Sequence, residues 1–332
     1  MRVIQFLDNH DQRRVGIVEA SDSLVTPLEA VTTVYDLAQQ AIATGQSLQA
    51  VIAAAAKSAA VDYDALLDNE RVLTPVDHPE PARMLVTGTG LTHIGSAAAR
   101  DQMHIAMHGE GGDVSDSLAI FRMGLEGGKP TDGGIGVQPE WFFKGVGSCV
   151  VPPGAPLPMP AFALAGAEEA EVVGLYINDQ EGVPFRIGFA IGNEYSDHVT
   201  EGANYLYLAH SKLRACSIGP ELLIGDLPEE VSGYSRIWRE SEVLWEEPVL
   251  SGEAHMSHSI ANLEHYHFRY SMFRRPGDLH AYFFGAAVMS YASGIEVKPG
   301  DEFEIDLPTF GRPLRNRVEP EADPGQVIVR QL

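Results

Sequence analysis

The sequence predicts a β-rich α+β protein, an antiparallel sandwich or rolled sheet preceded by a small N-terminal α+β domain. Three observations carry this. Helix-period apolar spacing is concentrated in the first 75 residues. Beyond residue 80 the chain reads as short β runs separated by turns, with few helices. Between the two lies Leu73-Thr74-Pro75-Val76 with Pro79 and Pro81, a stiff linker. The expected division is therefore a small domain over residues 1–75 and a catalytic β-rich domain over 80–332.

In chain order, Arg2 to Leu7 and Arg14 to Glu19 read as strands joined by the polar turn Asn9-His10-Asp11-Gln12. Val34 to Ala43 and Ser47 to Ala60 read as helices. Gly45 ends the first and Ser47 caps the second. Leu48, Val51, Ile52 and Ala55 share one face. Nothing polar converges in this segment, so its role is packing. Met84 to Thr87 reads as a strand entering Gly88-Thr89-Gly90-Leu91-Thr92-His93. Residues 94–136 have little periodicity and read as a lid, with His104, His108 and Glu110 inside it. Trp141 to Lys144 is a strand, and Val150 to Pro160 a proline-rich crossover. Val172 to Ile177 and Phe185 to Ile191 are strands joined by Asn178-Asp179-Gln180-Glu181-Gly182. Ser259 to His265 is a helix. Tyr282 to Phe284, Phe303 to Leu307 and Val327 to Val329 are further strands.

Composition narrows the partners. The 332 residues carry 46 acids against 23 bases, a formal charge of −23. That disfavours nucleic acid and an anionic membrane, both of which demand basic surface. At 45% hydrophobic the chain can build a core, yet no apolar run reaches the roughly 18–20 residues of a membrane span. Acids appear too early for a secretory leader, so the expected location is the cytoplasm. Cys149 and Cys216 are too few and too far apart for a disulfide framework or a cysteine zinc site.

The chemistry concentrates in Gly166 to Pro220. Glu169 and Glu171 are two apart, so on a strand they face the same side. With the turn centred on Glu181, Glu171 pairs near Ile191 and Glu169 near Asn193, which brings Glu194 within one residue of the pair. An isolated Glu-x-Glu is ordinarily a solvated edge. Here apolar residues flank it and a third acid falls at hairpin register. Three such carboxylates repel unless a cation neutralises them, and hard oxygen ligands point to Mg²⁺ or Mn²⁺, with Ca²⁺ as an alternative, and not to zinc. His255, His258, His265, His267 and His280 match no zinc spacing and are assigned to packing or contact between subunits.

Glu169-x-Glu171-Val-Val-Gly, Gly192-Asn193-Glu194-x-Ser196, Lys212 and Gly219-Pro220 together resemble the fumarylacetoacetate hydrolase superfamily. Gly90-Leu91-Thr92-His93, Trp141 to Lys144 and Gly300 to Ile305 fit the same order, so the likeness spans roughly residues 80–318. Glu201-Gly202-x-Asn204-x-Leu206-Tyr207-Leu208, Ile218-Gly219-Pro220 and Phe283-Phe284-Gly285 resemble its bacterial branch of 2-keto-3-deoxy-pentonate dehydratases.

The resemblance implies a mixed rolled β-sheet like that superfamily's C-terminal domain, a homodimer, and Mg²⁺ or Mn²⁺ on Glu169, Glu171 and Glu194. It implies dehydration of a 2-keto-3-deoxy sugar acid to 2-oxoglutarate semialdehyde through a metal-stabilised enolate, in non-phosphorylative pentose catabolism. Lys212 is the candidate base and His93 the candidate proton donor to the leaving hydroxyl. Lys144, Thr309 and Arg312 are candidates for binding the substrate. Two positions depart from the family. Glu194 stands where Asp is usual, and Ser96 stands where hydrolases place a water-activating Glu. Ser96 favours a lyase over the alternative, a C–C bond hydrolase of a 2,4-diketo-3-deoxy acid releasing pyruvate. A non-catalytic sugar-acid-binding module is a third reading.

Overall fold

The computed structural model describes residues 1–95 and 116–332. Ser96, His104, His108, Glu110 and the first part of the expected lid lie outside them. Two sheets organise the rest. The larger follows the order Val61–Asp62, Leu24–Pro27, Arg13–Val18, Arg2–Leu7, Leu222–Leu223, Pro184–Asn193, Ala170–Asn178, Leu279–Phe283, Met84–Gly88 and Phe142–Val146. Cys216–Ile218 pairs with Pro184–Asn193 and with Val150–Val151, to one side of this path. The smaller sheet runs Glu242–Ser251, Val231–Arg239, Glu302–Asp306, Leu314–Pro320 and Leu157–Met159.

The pairing is mixed, as the resemblance implied. Leu279–Phe283 lies antiparallel to Ala170–Asn178 but parallel to Met84–Gly88. Leu157–Met159 joins Leu314–Pro320 in parallel. A purely antiparallel sandwich, one of the forms expected from the strand pattern, is therefore not formed. Parallel pairs need long crossovers, and short β runs alone do not reveal which distant partner each one finds.

Strand alternation builds the layers. Val173, Leu175 and Ile177 face one side, where they pack with Leu37, Ala41 and Ile52 of the helices Val34–Thr44 and Leu48–Ala54. Val172 and Tyr176 face the other side, against Val231, Val249, Ile305 and Leu314 of the smaller sheet. The strand Ala170–Asn178 is buried along its whole length, as a strand covered on both faces must be.

Two expectations need correction. The second helix ends at Ala54, not Ala60. Beyond Ile52 the run is alanine-rich, with little apolar area to hold it down, and the chain turns back to pair as Val61–Asp62. Val327 to Val329 form no strand. They lie exposed, without a ladder to join. The turn Asp179 to Val183 forms as expected, with Gly182 in the left-handed region. No helix among the described residues is long and apolar enough to cross a membrane.

Candidate metal centre

The carboxylates sit at the end of the central hairpin. Glu171 is paired with Gly192 and Ala170 with Asn193, while the Glu194 N–H donates to the Glu169 carbonyl at 3.0 Å. This is one residue off the register expected from the turn, because the ladder is irregular between Leu175 and Tyr176. The slip places Glu194 directly beside Glu169. All three acids are buried, and one carboxylate oxygen from each falls within 4.8 Å of the others.

Two lysines enter the same volume. Lys212, at the end of the short helix Leu208–Lys212, bridges two acids. Its Nζ donates to Glu169 Oε1, to Glu194 Oε2 at 2.6 Å and to Ser196 Oγ at 3.1 Å. It also lies 4.9 Å from the centre of the Phe142 ring. Lys144, on the strand Phe142–Val146, donates to Glu194 Oε1 at 2.5 Å and to the carbonyls of Tyr195 and Lys212. Glu194 thus has a lysine on each oxygen. The methylene that separates it from Asp lets it reach both.

The electrostatics are uneven. Burial pushes Glu169 up, but Lys212 and His198 outweigh it and hold the carboxyl well below its usual range. Glu171 lies well above that range, first from burial and then from the charges of Glu169 and Glu194. Burial also raises Glu194 despite both lysines. Three acids and two lysines share the buried site, and the lysines are drawn to Glu169 and Glu194. Glu171 Oε2 accepts the Gly285 N–H at 2.7 Å, whereas the buried Oε1 has no hydrogen-bond partner among the described residues. An unpaired oxygen on the least compensated acid is where a cation's charge is most needed. The donor set is all oxygen, which fits a hard divalent ion.

His93 is buried, and the preceding Thr92 ties it to Phe284, the neighbour of Gly285. Its Nδ1 lies 2.9 Å from Thr92 Oγ1, and that hydroxyl gives its one proton to the Phe284 carbonyl at 2.6 Å. Nδ1 therefore carries the hydrogen. Nε2 accepts, and Ser251 Oγ stands 3.2 Å from it. Burial, with His255 and Lys129 nearby, pushes His93 down to about 3. It is a neutral imidazole at physiological pH.

Arg312 is engaged elsewhere. Thr309 belongs to a single turn, Pro308–Phe310. Arg312 packs against the N-terminal segment, reaching Asp64 at 2.5 Å and the Asp22 carbonyl at 3.1 Å. Its guanidinium stands over the Tyr63 ring. The structure gathers five of the eight expected site residues into one buried group, links His93 to it through Thr92, Phe284 and Gly285, and gives Arg312 other partners.

Two participants were missed. His198 contacts Glu169 Oε1 through Nε2 at 3.1 Å and stacks on Tyr291. Gly285 supplies the N–H to Glu171. Asp197, a cap immediately before a short helix, was the available signal for His198. A backbone donor 114 residues from its acceptor leaves none.

No family model matches the chain. Solved structures do. One described as the apo form of 2-keto-3-deoxy-D-arabinonate dehydratase covers 97% of this chain and 100% of its own, at TM-score 0.72 and 18% identity. The chain has the fumarylacetoacetate hydrolase-like fold. The same enzyme complexed with magnesium and 2,5-dioxopentanoate aligns at TM-score 0.70 and 18% identity, over 97% of this chain and 99% of that one. A 5-carboxymethyl-2-hydroxymuconate delta-isomerase from Mycobacterium smegmatis aligns at 0.58 and 15%, over 97% and 100%. Among curated proteins, the "Probable 2-keto-3-deoxyxylonate dehydratase" of Haloferax volcanii is 31% identical over 125 residues. That match spans 35% of this chain and 40% of the relative. Within the fumarylacetoacetate hydrolase-like fold, then, the carboxylate hairpin lies in the central strands.

Proposed function

We propose that the protein is a metal-dependent hydro-lyase that dehydrates a 2-keto-3-deoxy sugar acid, a pentonate, to 2-oxoglutarate semialdehyde. The observation that carries this reading is the buried trio Glu169, Glu171 and Glu194 with Lys212 bridging two of its members. It is supported by the whole-chain likeness to a dehydratase solved with magnesium and 2,5-dioxopentanoate, another name for that semialdehyde.

In this reading Glu169, Glu171 and Glu194 hold Mg²⁺ or Mn²⁺. The bound cation would polarise the carboxylate and ketone of the keto acid and so acidify C3–H. Lys212 takes the C3 proton. Its Nζ is held between Glu169 and Glu194, beside the place where the keto acid would bind. Lys144 fixes Glu194 from the far side and keeps that carboxylate aimed. The C4 hydroxyl receives the proton that Lys212 has taken from C3 and leaves as water, and the unsaturated keto acid tautomerises to the aldehyde. Neutral His93 acts as an oriented hydrogen-bonding group near the leaving hydroxyl, not as an imidazolium acid. A homodimer accompanies this reading, supported by the sequence resemblance, and so does the cytoplasmic location expected from the sequence.

The test is direct. The purified chain is stripped of divalent ions and given epimeric 2-keto-3-deoxypentonates with and without Mg²⁺. Metal-dependent formation of an aldehyde-bearing keto acid is expected. Turnover without metal, or release of pyruvate, sinks the proposal.

A further inference from the structure

The chain has two cysteines, 67 positions apart, and the fold brings them together. Cys216 opens the strand Cys216–Ile218 and pairs in parallel with Val150. Cys149 immediately precedes Val150, at the end of the single turn Gly147–Cys149. A residue one step from a paired neighbour has its Cα about 6 Å away, within the roughly 4.4–6.8 Å that a disulfide spans. Cys216 belongs to an apolar cluster against which Cys149 packs. Gly145 leaves room for the contact, since a Cβ there would stand 3.0 Å from Cys149 Sγ.

The two sulfurs are not equivalent. Cys149 is half-buried and Cys216 is buried. The neighbouring Cys216 thiol and the nearby Lys144 ammonium hold the Cys149 thiol below its usual value, while burial pushes Cys216 well above it. One sulfur is thus the accessible nucleophile and its neighbour the protonated partner, the division that oxidation to a disulfide requires.

We infer that Cys149 and Cys216 form a redox-modification site, in which a hydroperoxide converts the pair to an intrachain disulfide. Cys149 sulfur attacks the outer oxygen of the hydroperoxide. The O–O bond breaks, an alcohol or water leaves, and Cys149 becomes a sulfenic acid. Cys216 sulfur then attacks Cys149 sulfur. The S–S bond forms, and the sulfenic oxygen departs as water with the Cys216 proton. Two thiols have lost two electrons and the hydroperoxide has gained them.

The bond would join the two segments that deliver the lysines. Lys144 lies five residues before Cys149, and Lys212 four before Cys216. The inference stands on this packing and does not depend on the proposed reaction.

The test uses the full chain. It is treated with hydrogen peroxide, then examined by intact mass, denaturing thiol titration and peptide mapping. The expected result is a monomeric polypeptide about 2 Da lighter, free of titratable thiol, with Cys149 and Cys216 in one linked peptide that dithiothreitol separates. Closing so long a loop should raise the melting temperature by roughly 5 °C, reversibly. Cys149→Ser and Cys216→Ser should each abolish the mass loss while melting like the reduced parent. Two persistent thiols, separate oxygen adducts on each cysteine, or dimers on non-reducing gels would overturn the inference.

Discussion

Gly285 donates its backbone N–H to Glu171 Oε2 at 2.7 Å, across 114 residues of sequence. Gly285 has φ +97°, and a Cβ there would sit 2.1 Å from Thr92 Oγ1. Only glycine suits the position. One residue therefore aims the least compensated carboxylate and borders the hydroxyl that orients His93. Gly285→Ala should lower stability by about 2 kcal/mol or more. Whatever folds should bind Mg²⁺ more weakly, as read by melting with and without the ion.

Glu171→Gln separates metal binding from folding. Glu171 Oε1 is buried without a partner among the described residues and two acids repel its charge, so the amide should leave metal-free stability unchanged or higher. A bound ion stabilises the parent by about 2.7 kcal/mol at a hundredfold excess over its dissociation constant. That increment should nearly vanish in the variant. A preserved Mg²⁺-induced shift in calorimetry would remove Glu171 from the ligand set.

Lys212→Met should do the reverse. It strands Glu169 and Glu194 without their bridging cation, a loss of about 3–5 kcal/mol when one partner of a buried pair is removed. Saturating Mg²⁺ should recover part of that loss. Turnover at saturating substrate should fall by about 10²–10⁴. A variant as stable as the parent without metal would contradict the bridging geometry.

His93 makes a kinetic prediction. With its pKa near 3, the ring stays neutral across the working range. The pH–rate profile should therefore show no limb from His93 near pH 6.5. Any limb found there should persist in His93→Asn, even as the rate falls. Disappearance of such a limb would restore His93 as a titrating acid.

Away from the centre, Glu221 is buried between Arg2 and Tyr63, and accepts the Arg312 N–H at 2.9 Å. Burial outweighs these donors and raises the carboxyl to about 7. A raised acid favours folding in its protonated form. Its contribution is full below the unfolded value near 4.5 and is lost as pH rises to about 7. Relative to Glu221→Gln, the parent should lose roughly 3 kcal/mol across that window. Denaturant titrations of both chains at pH 5 and pH 7.5 give the difference. A constant gap would refute it.

The site was legible in the sequence where local geometry is periodic. Glu169 and Glu171 share a face because strands alternate, and the turn brings Glu194 within one residue of them. The irregularity between Leu175 and Tyr176 that sets it beside Glu169 was not legible. What the sequence concealed depended on distant partners. Lys144 was expected to meet substrate charge, yet it is committed to Glu194, a pairing set by how the strand Phe142–Val146 joins the sheet edge. Arg312 looked available because neither Asp22 nor Asp64 stands near it in sequence. The nine- and ten-residue strands Val231–Arg239 and Glu242–Ser251 read only as short β runs. Their exposed positions mix acids with apolar residues and blur the alternation. The histidines followed their packing assignment where the structure is clearest. His267 and His280 contact each other at 3.0 Å inside an aromatic cluster, and the three glutamates are the one metal-competent group found among the described residues.

The strand Arg2–Leu7 hydrogen-bonds to Leu222–Leu223, which in turn meets Phe189 on the carboxylate hairpin. Its neighbours Arg13–Val18 and Leu24–Pro27 carry the ladder outward to a two-residue border, Val61–Asp62. The opening residues thus work as a terminator. They take a sheet that would otherwise stop at an open rim and taper it to a rung too short to copy. A polypeptide begun after the linker would keep its carboxylates and lysines, yet present Leu222 and Leu223 as a naked template beside uncovered core. Its failure would be polymerisation, strand upon strand, before any loss of catalytic groups.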